Sequence, residues 1–207
     1  NAVREDPAKK GLLYAATELG MYVSFDDGDH WDPLQANLPR TSVRDIDVHG
    51  DDLVIATHGR GFWIMDDASL LREIDPRATR IATRLYPPAT AIPARVAAFT
   101  GTPSPKDEPL ASNPPSGAAI DYVLGAHVKS VELSIRANGK LVRRYTSKDP
   151  APNTDPAKSG YAPEWIPQPS RLETTRGMHR FVWPIRYPKP AALAESETDG
   201  DGVWAPP

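Results

Sequence analysis

The part of the sequence that decides the fold is the acidic stretch Ser24-Phe25-Asp26-Asp27-Gly28-Asp29-His30-Trp31, which directly follows a short apolar run. The side chains of Ser24 and Asp26 are short enough to bond to nearby backbone groups and hold a tight turn. Gly28 supplies the positive φ that such a turn needs, and Trp31 brings a large apolar ring back against it. The stretch therefore predicts a turn between two β-strands.

The spacing Ser-x-Asp-x-Gly-x-x-Trp resembles the Asp-box of the BNR (bacterial neuraminidase) repeat families, and all four key positions are present. In those families the Asp-box forms the turn between the third and fourth strands of a β-propeller blade. The resemblance implies that Ser24, Asp26, Gly28 and Trp31 have a structural role, on the face of the propeller away from any active site.

The sequence also contains an internal repeat. Two segments, 13–23 and 53–64, read alike, and Thr17 matches Thr57, an offset of 57 − 17 = 40. Gly20 matches Gly61, an offset of 61 − 20 = 41, so the second copy has one more residue in its turn. The second copy lacks the Asp-box. A period near 40 with short strands is typical of four-stranded propeller blades.

The repeat leads us to expect the last one to two blades of a propeller in the first third of the chain. Residues 1–10 are polar and contain the turn signal Asp6-Pro7, and three strands are expected after them, at about 12–17, 20–25 and 30–35. The second blade is expected to have strands at 43–48, 53–57, 62–66 and about 70–75. In its first strand the alternation places Val43, Asp45 and Asp47 on one face.

The rest of the chain predicts a connector and a second β-rich region. We divide the chain into propeller blades at 1–75, a connector at 76–95 and a β-sandwich with long Pro-rich loops at 96–207. Asn138-Gly139 between two alternating segments predicts a hairpin. Further strands are expected at 118–124 and 180–187, the latter at an edge or a bulge because it contains Pro184.

Two runs in the second region, Asn113–Leu124 and Gly177–Tyr187, resemble the segment that follows the propeller in bacterial sortilin-like, BNR-repeat proteins labelled glycosyl hydrolases. The Ig-like domain there is similar to that of flagellar hook-capping (FlgD-type) proteins. The resemblance implies an all-β chain in which incomplete Asp-box propeller blades precede an Ig-like sandwich that is itself truncated.

Composition narrows the classes of function. The formal net charge is −3 and the basic residues are scattered, which gives no reason to expect a nucleic-acid partner. No apolar run is long enough for a membrane-spanning helix. The chain has no cysteine, and its five histidines show no metal-ligand spacing. We therefore expect no cofactor, no bound metal and no membrane span.

The candidate ligand-binding residues are Glu18, Arg40, His58 and Arg60. Propeller topology places the turns between second and third strands, and the links between blades, on the face that commonly binds ligands. Arg60 is suited to a bidentate contact with a carboxylate. In the alternative, which we favour at this point, His58 and Arg60 tie adjacent blades together by bonding to backbone groups and to acids such as Asp66 or Asp67.

Two functions remain open, and no catalytic residue is identified. Because a propeller has four to eight blades, we expect the chain to be the C-terminal part of a longer protein whose remaining blades are its partners. The resemblance implies a secreted or periplasmic bacterial protein of the glycosyl hydrolase kind, with this part alone inactive. The ligand of such a hydrolase would be a glycan. The alternative is a sortilin-like propeller that binds a peptide or a partner protein without chemistry.

Overall fold

The computed structural model describes residues 1–75, 82–91, 117–150 and 170–186. Strands make up 46% of these residues and helix 4%, so the chain is all-β, as predicted, and its sheets are small, antiparallel and open. The chain divides into two compact units. The described residues of unit 1 are 1–75; those of unit 2 are 82–91, 117–150 and 170–186. The predicted Pro-rich loops and Asn113–Ser116 lie wholly or largely outside the described residues.

The first sheet of unit 1 is a four-stranded meander in the order β1-β2-β3-β4. Its strands are β1 (Ala2–Glu5), β2 (Leu13–Thr17), β3 (Gly20–Ser24) and β4 (Asp32–Pro33). The first strand was not expected, since residues 1–10 are mostly polar; three of its four residues are exposed. The last is much shorter than 30–35: it ends at Pro33, and one further backbone bond follows, from the Leu34 N–H to the Met21 carbonyl at 2.9 Å.

The second sheet has three strands in the order β5-β6-β7. They are β5 (Val43–His49), β6 (Asp52–Thr57) and β7 (Phe62–Met65). The expected alternation in β5 is wrong at its start: a bulge between Val43 and Asp45 shifts the register. Val43 is therefore buried together with Ile46, while Asp45 and Asp47 are exposed.

The expected fourth strand at 70–75 is also wrong, because this segment forms a short helix, α1 (Ser69–Glu73). Asp67 lies two residues before the helix, and its carboxylate accepts hydrogen bonds from the Ser69 N–H at 3.3 Å and from the Ser69 hydroxyl. The helix contains no β-branched residue, and its Leu71 is buried. Local turn chemistry thus overrides the strand that the repeat would place there.

The two sheets of unit 1 pack face to face around one core, to which α1 contributes Leu71. Tyr14 and Met21 of the first sheet and Ile46 of the second are at most 1% exposed. The hairpins also share a register, since Ala16 pairs with Met21 as Ala56 pairs with Phe62. The structure therefore confirms the correspondence between the two copies at the level of strand pairing.

Unit 2 has a three-stranded sheet in the order β12-β9-β8 and a separate hairpin, β10-β11. Its strands are β8 (Arg84–Leu85), β9 (Ala118–Leu124), β10 (Glu132–Ala137), β11 (Lys140–Thr146) and β12 (Gly177–Trp183). β8 lies within the expected connector. β12 ends before Pro184, earlier than the expected strand at 180–187, because proline cannot donate to the ladder.

The hairpin of unit 2 is the one that Asn138-Gly139 predicts. Asn138 has φ 49° and Gly139 has φ 77°, which is the backbone of a two-residue type I′ turn. The hairpin covers the larger sheet, and the rings of Tyr145 and Phe181 lie 4.8 Å apart between the two layers. In the part of the chain described, no helix has the length and apolar character needed to cross a membrane.

Candidate functional site

The turn at residues 24–31 is held by a compact set of hydrogen bonds. The Ser24 Oγ accepts the N–H of Gly28 at 2.9 Å and donates to Asp26 Oδ1 at 2.8 Å. The same Asp26 oxygen accepts the His30 N–H at 2.9 Å, and His30 Nδ1 lies 2.7 Å from Asp26 Oδ2. Ser24 and Asp26 therefore satisfy backbone donors, as predicted.

Gly28 and Trp31 contribute no side-chain hydrogen bond to this turn. Gly28 has φ 96°, and a Cβ there would lie 3.8 Å from the Trp31 ring. Trp31 packs against the turn, but 38% of the residue stays exposed to solvent. The N–H of Asp27 bonds to the Gly11 carbonyl at 2.9 Å, which joins the turn to the β1–β2 connection. These contacts are structural.

The same end of unit 1 holds a buried charge network that the sequence did not reveal. Asp6 is 2% exposed, and its carboxylate accepts the Tyr14 hydroxyl at 2.8 Å and Arg72 Nε at 2.9 and 3.0 Å. Arg72 also bonds to Asp51 and, at 3.1 Å, to the carbonyl of Gly50. Asp6 had been assigned only to a turn, and no local signal links it to an arginine 66 residues away.

These contacts shift the protonation of the network. Burial alone raises the pKa of Asp6, but hydrogen bonds from the Ala8 N–H, Tyr14 and Arg72 outweigh it and hold that pKa below its usual range. Burial, followed by the bond to the Asp6 carboxylate, raises the pKa of Tyr14. The network is thus a fixed ion pair that docks α1, with no group poised for proton transfer at neutral pH.

The opposite end of unit 1, which we call the link end, consists of the turn at 18–19, the link at 34–42 and the turn at 58–61. The structure brings these three segments together. The N–H of His58 bonds to the Ser42 carbonyl at 2.8 Å, and the Thr41 hydroxyl bonds to the His58 carbonyl at 3.1 Å. The link is therefore tied to the second turn through the main chain.

A close approach ties the link to the first turn as well. A Cβ on Gly20 would lie only 2.1 Å from the side-chain oxygen of Gln35. The Gln35 amide cannot easily retreat, because its nitrogen donates to the carbonyls of Leu38 at 2.7 Å and Pro39 at 3.1 Å. Only glycine fits at position 20, and the link end is a defined surface.

Of the four candidate residues at the link end, Glu18 is the one whose side chain has a partner within the described part of the chain. Its carboxylate lies 3.0 Å from Arg44, a partner that the sequence analysis did not single out. The nearby polar side chain of Ser42, then that of Asn1, and the charge of Arg44 lower the pKa of Glu18. Glu18 is accordingly ionised at neutral pH.

The three remaining candidates, Arg40, His58 and Arg60, are exposed. Within the described residues their side chains have no hydrogen-bond or salt-bridge partner, and the bond that Trp63 makes to residue 60 is to its carbonyl, at 3.1 Å. The expectation that the side chains of His58 and Arg60 bond to Asp66 or Asp67 is therefore wrong. The second turn is held by main-chain bonds, which leaves the three side chains available.

Among the described residues of unit 1, the other carboxylates do not assemble a second site. Asp45 pairs with Arg4 at 2.7 Å on the surface. In the described ranges no three histidine or acidic side chains gather where they could hold a metal ion. The geometry supports the binding of an anion at the link end better than it supports proton transfer or metal chemistry.

Comparison with known proteins gave no match: no family model, no curated protein and no solved structure matches this chain. The assignment of a function therefore rests on the geometry of the chain itself.

Proposed function

We propose that unit 1 consists of two successive blades of an Asp-box β-propeller and that unit 2 is an Ig-like sandwich. The shared hairpin register and the bonds of Ser24 and Asp26 support the first part of this proposal. The packing of the β10-β11 hairpin on the β12-β9-β8 sheet supports the second. Further blades would complete the propeller of a secreted or periplasmic protein.

The function of unit 1 in this proposal is to bind a carboxylate-bearing ligand at the link end, without catalysis. One observation carries it: Arg40, His58 and Arg60 lie on two segments bonded to one another, and all three side chains are exposed and unpaired within the described residues. Unpaired guanidinium groups suit bidentate contacts with a carboxylate. An acidic glycan and an acidic peptide both supply that group.

Glycoside hydrolysis by a longer protein is the second candidate. It needs a carboxylic acid that keeps its proton at neutral pH, opposite a second carboxylate. Glu18 does not fill the first role, because its neighbours lower its pKa. Hydrolysis would therefore depend on carboxyl groups from other blades, with the link end limited to holding the substrate.

An array of glycans and peptides, each with and without a carboxylate, tests the proposal on the full 207-residue chain. We expect the carboxylated members to be retained. Replacing Arg60→Ala is expected to weaken the best of them by about tenfold, since a hydrogen bond to a charged group contributes about 1.5 kcal/mol. The matched control is Arg176→Ala, which removes an exposed arginine from unit 2.

Two results would contradict binding at the link end: equal retention of carboxylated and uncarboxylated members, or equal loss in Arg60→Ala and Arg176→Ala. Cleavage of a retained glycan, measured as release of its reducing sugar, would favour the second candidate instead.

A further inference from the structure

The second sheet of unit 1 has an apolar face that the described structure leaves open. We call it the outer face of the second sheet, and it consists of Val54, Ala56, Phe62 and Ile64. Phe62 is 80% exposed and Ile64 is 54% exposed. The four residues lie side by side, because Ala56 pairs with Phe62 and Val54 with Ile64. An exposed phenylalanine beside an exposed isoleucine marks an interaction surface.

The equivalent face of the first sheet is fully buried. The repeat matches these four residues to Tyr14, Ala16, Met21 and Val23, which pair in the same register. Those side chains are between 0% and 3% exposed. The same position in the repeat is thus core in one copy and surface in the other.

The side chains that bury this face in the first sheet show what kind of surface can bind it. The core cluster joins the buried residues of the first sheet to Ile46, Ile55 and Trp63, which lie in one row across the second sheet. A row of bulky apolar side chains from a neighbouring sheet of the same repeat therefore closes such a face.

The first sheet carries the matching row on its own outer side. Val3 pairs with Ala15, and Ala15 pairs with Tyr22, so the three residues occupy the places of Ile46, Ile55 and Trp63. Val3 is 56% exposed and Tyr22 is partly exposed, whereas the small Ala15 between them is 9% exposed. One chain thus carries both halves of the contact that already holds its two sheets together, on different sheets, and the two ends of this row lie at the surface.

We propose that the outer face of the second sheet binds a second copy of this chain, head to tail, through the Val3-Ala15-Tyr22 row of that copy. The contact repeats the one between the two sheets of unit 1. It is heterologous, because different surfaces of the two copies meet, so it extends into larger assemblies or a ring. It requires no ligand, and it stands whether or not the link end binds carboxylates.

Sedimentation velocity of the full chain tests the proposal directly. Between about 1 µM and about 200 µM, which covers the micromolar affinities of modest interfaces, the weight-average mass of the wild type should rise. Phe62→Ser and Val3→Glu should each remain monomeric, since each removes one half of the contact. Leu85→Ser alters a leucine of unit 2 that is 59% exposed, close to the 56% of Val3, and it should behave as wild type.

Mixing the two variants separates this contact from any other. Phe62→Ser keeps an intact Val3 row, and Val3→Glu keeps an intact outer face, so an equimolar mixture should form a species of twice the monomer mass and no larger. Circular dichroism checks that both variants fold. A wild type that is monomeric throughout would overturn the proposal. A mixture that stays monomeric, or association that survives either substitution, would overturn it too.

Discussion

Asp26 holds its turn because one carboxylate oxygen accepts both a side-chain hydroxyl and a backbone N–H. Ser24 is fully buried, so its hydroxyl cannot donate to water instead if the Asp26 carboxylate is removed. An unsatisfied buried polar group costs far more than an ordinary hydrogen bond contributes. The acidic turn is therefore expected to be a sensitive position for stability although it lies on the surface.

Replacing Asp26→Ala should lower the free energy of unfolding by about 1–3 kcal/mol, because it leaves the Ser24 hydroxyl and the His30 N–H without their acceptor. Urea denaturation followed by tryptophan fluorescence measures the change. Asp29→Ala in the same turn is the control, and a cost within about 0.5 kcal/mol is expected there because its side chain is exposed. Equal costs for the two variants would show that the carboxylate does not hold the turn.

Single residues were predictable from the sequence where their partners are local. Ser24 and Asp26 bond within four residues of themselves, and Asn138-Gly139 needs only its own backbone angles. Asp6 was not predictable in the same way. Its partners Tyr14 and Arg72 come together only when α1 docks, and the sequence around Asp6 shows a turn signal and nothing more.

Among the elements, β5 and α1 have features that the pattern of polar and apolar residues did not predict. The alternation in β5 is genuine from Asp45 onward, but a bulge leaves no trace in the order of polar and apolar residues. The segment after β7 was assigned to a strand by analogy with the first copy. The helix formed because Asp67 stabilises its first turn and Arg72 anchors it.

The docking of α1 should depend on pH through Asp6. Its pKa is lowered in the folded state, so at acid pH the unfolded chain binds a proton that the folded chain does not. This stabilisation is complete above the unfolded value of about 3.9 and is lost as the pH falls through the lower, folded value. The free energy of unfolding, measured by urea titration, should therefore decrease from about pH 5 downward.

Arg72→Met should lower the free energy of unfolding at pH 7 by about 3 kcal/mol, because it leaves the buried Asp6 carboxylate without its cation. The substitution should also make the decrease of the unfolding free energy below pH 5 (the acid limb) less steep, since the folded pKa of Asp6 then moves toward the unfolded one. Arg4→Met is the control, because it breaks an exposed pair with Asp45, and a cost of at most about 1 kcal/mol is expected. An acid limb as steep in Arg72→Met as in the wild type would rule out the Asp6–Arg72 pair as its source.

For the molecule as a whole, the sequence predicted the all-β class and the correspondence of two copies, because apolar periodicity and the 40-residue offset are both written in the chain. It did not predict which face of each sheet is buried and which is exposed. Phe62 and Met21 occupy equivalent places, yet one is 80% exposed and the other is fully buried. The difference arises because the second sheet packs on this face of the first sheet, while the same face of the second sheet has no such neighbour among the described residues. Local sequence patterns do not encode that packing.

The central claim is that residues 1–75 are two copies of one sheet that share a single core, and native-state hydrogen exchange tests it most directly. The amides to compare are those of β2 and β6, the central strands of the two sheets. We expect both sets to exchange through the same global opening, with free energies that agree within about 1 kcal/mol. A free energy of opening for β6 that is lower than that of β2 by about 2 kcal/mol or more would show that the sheets unfold separately, and would contradict the claim.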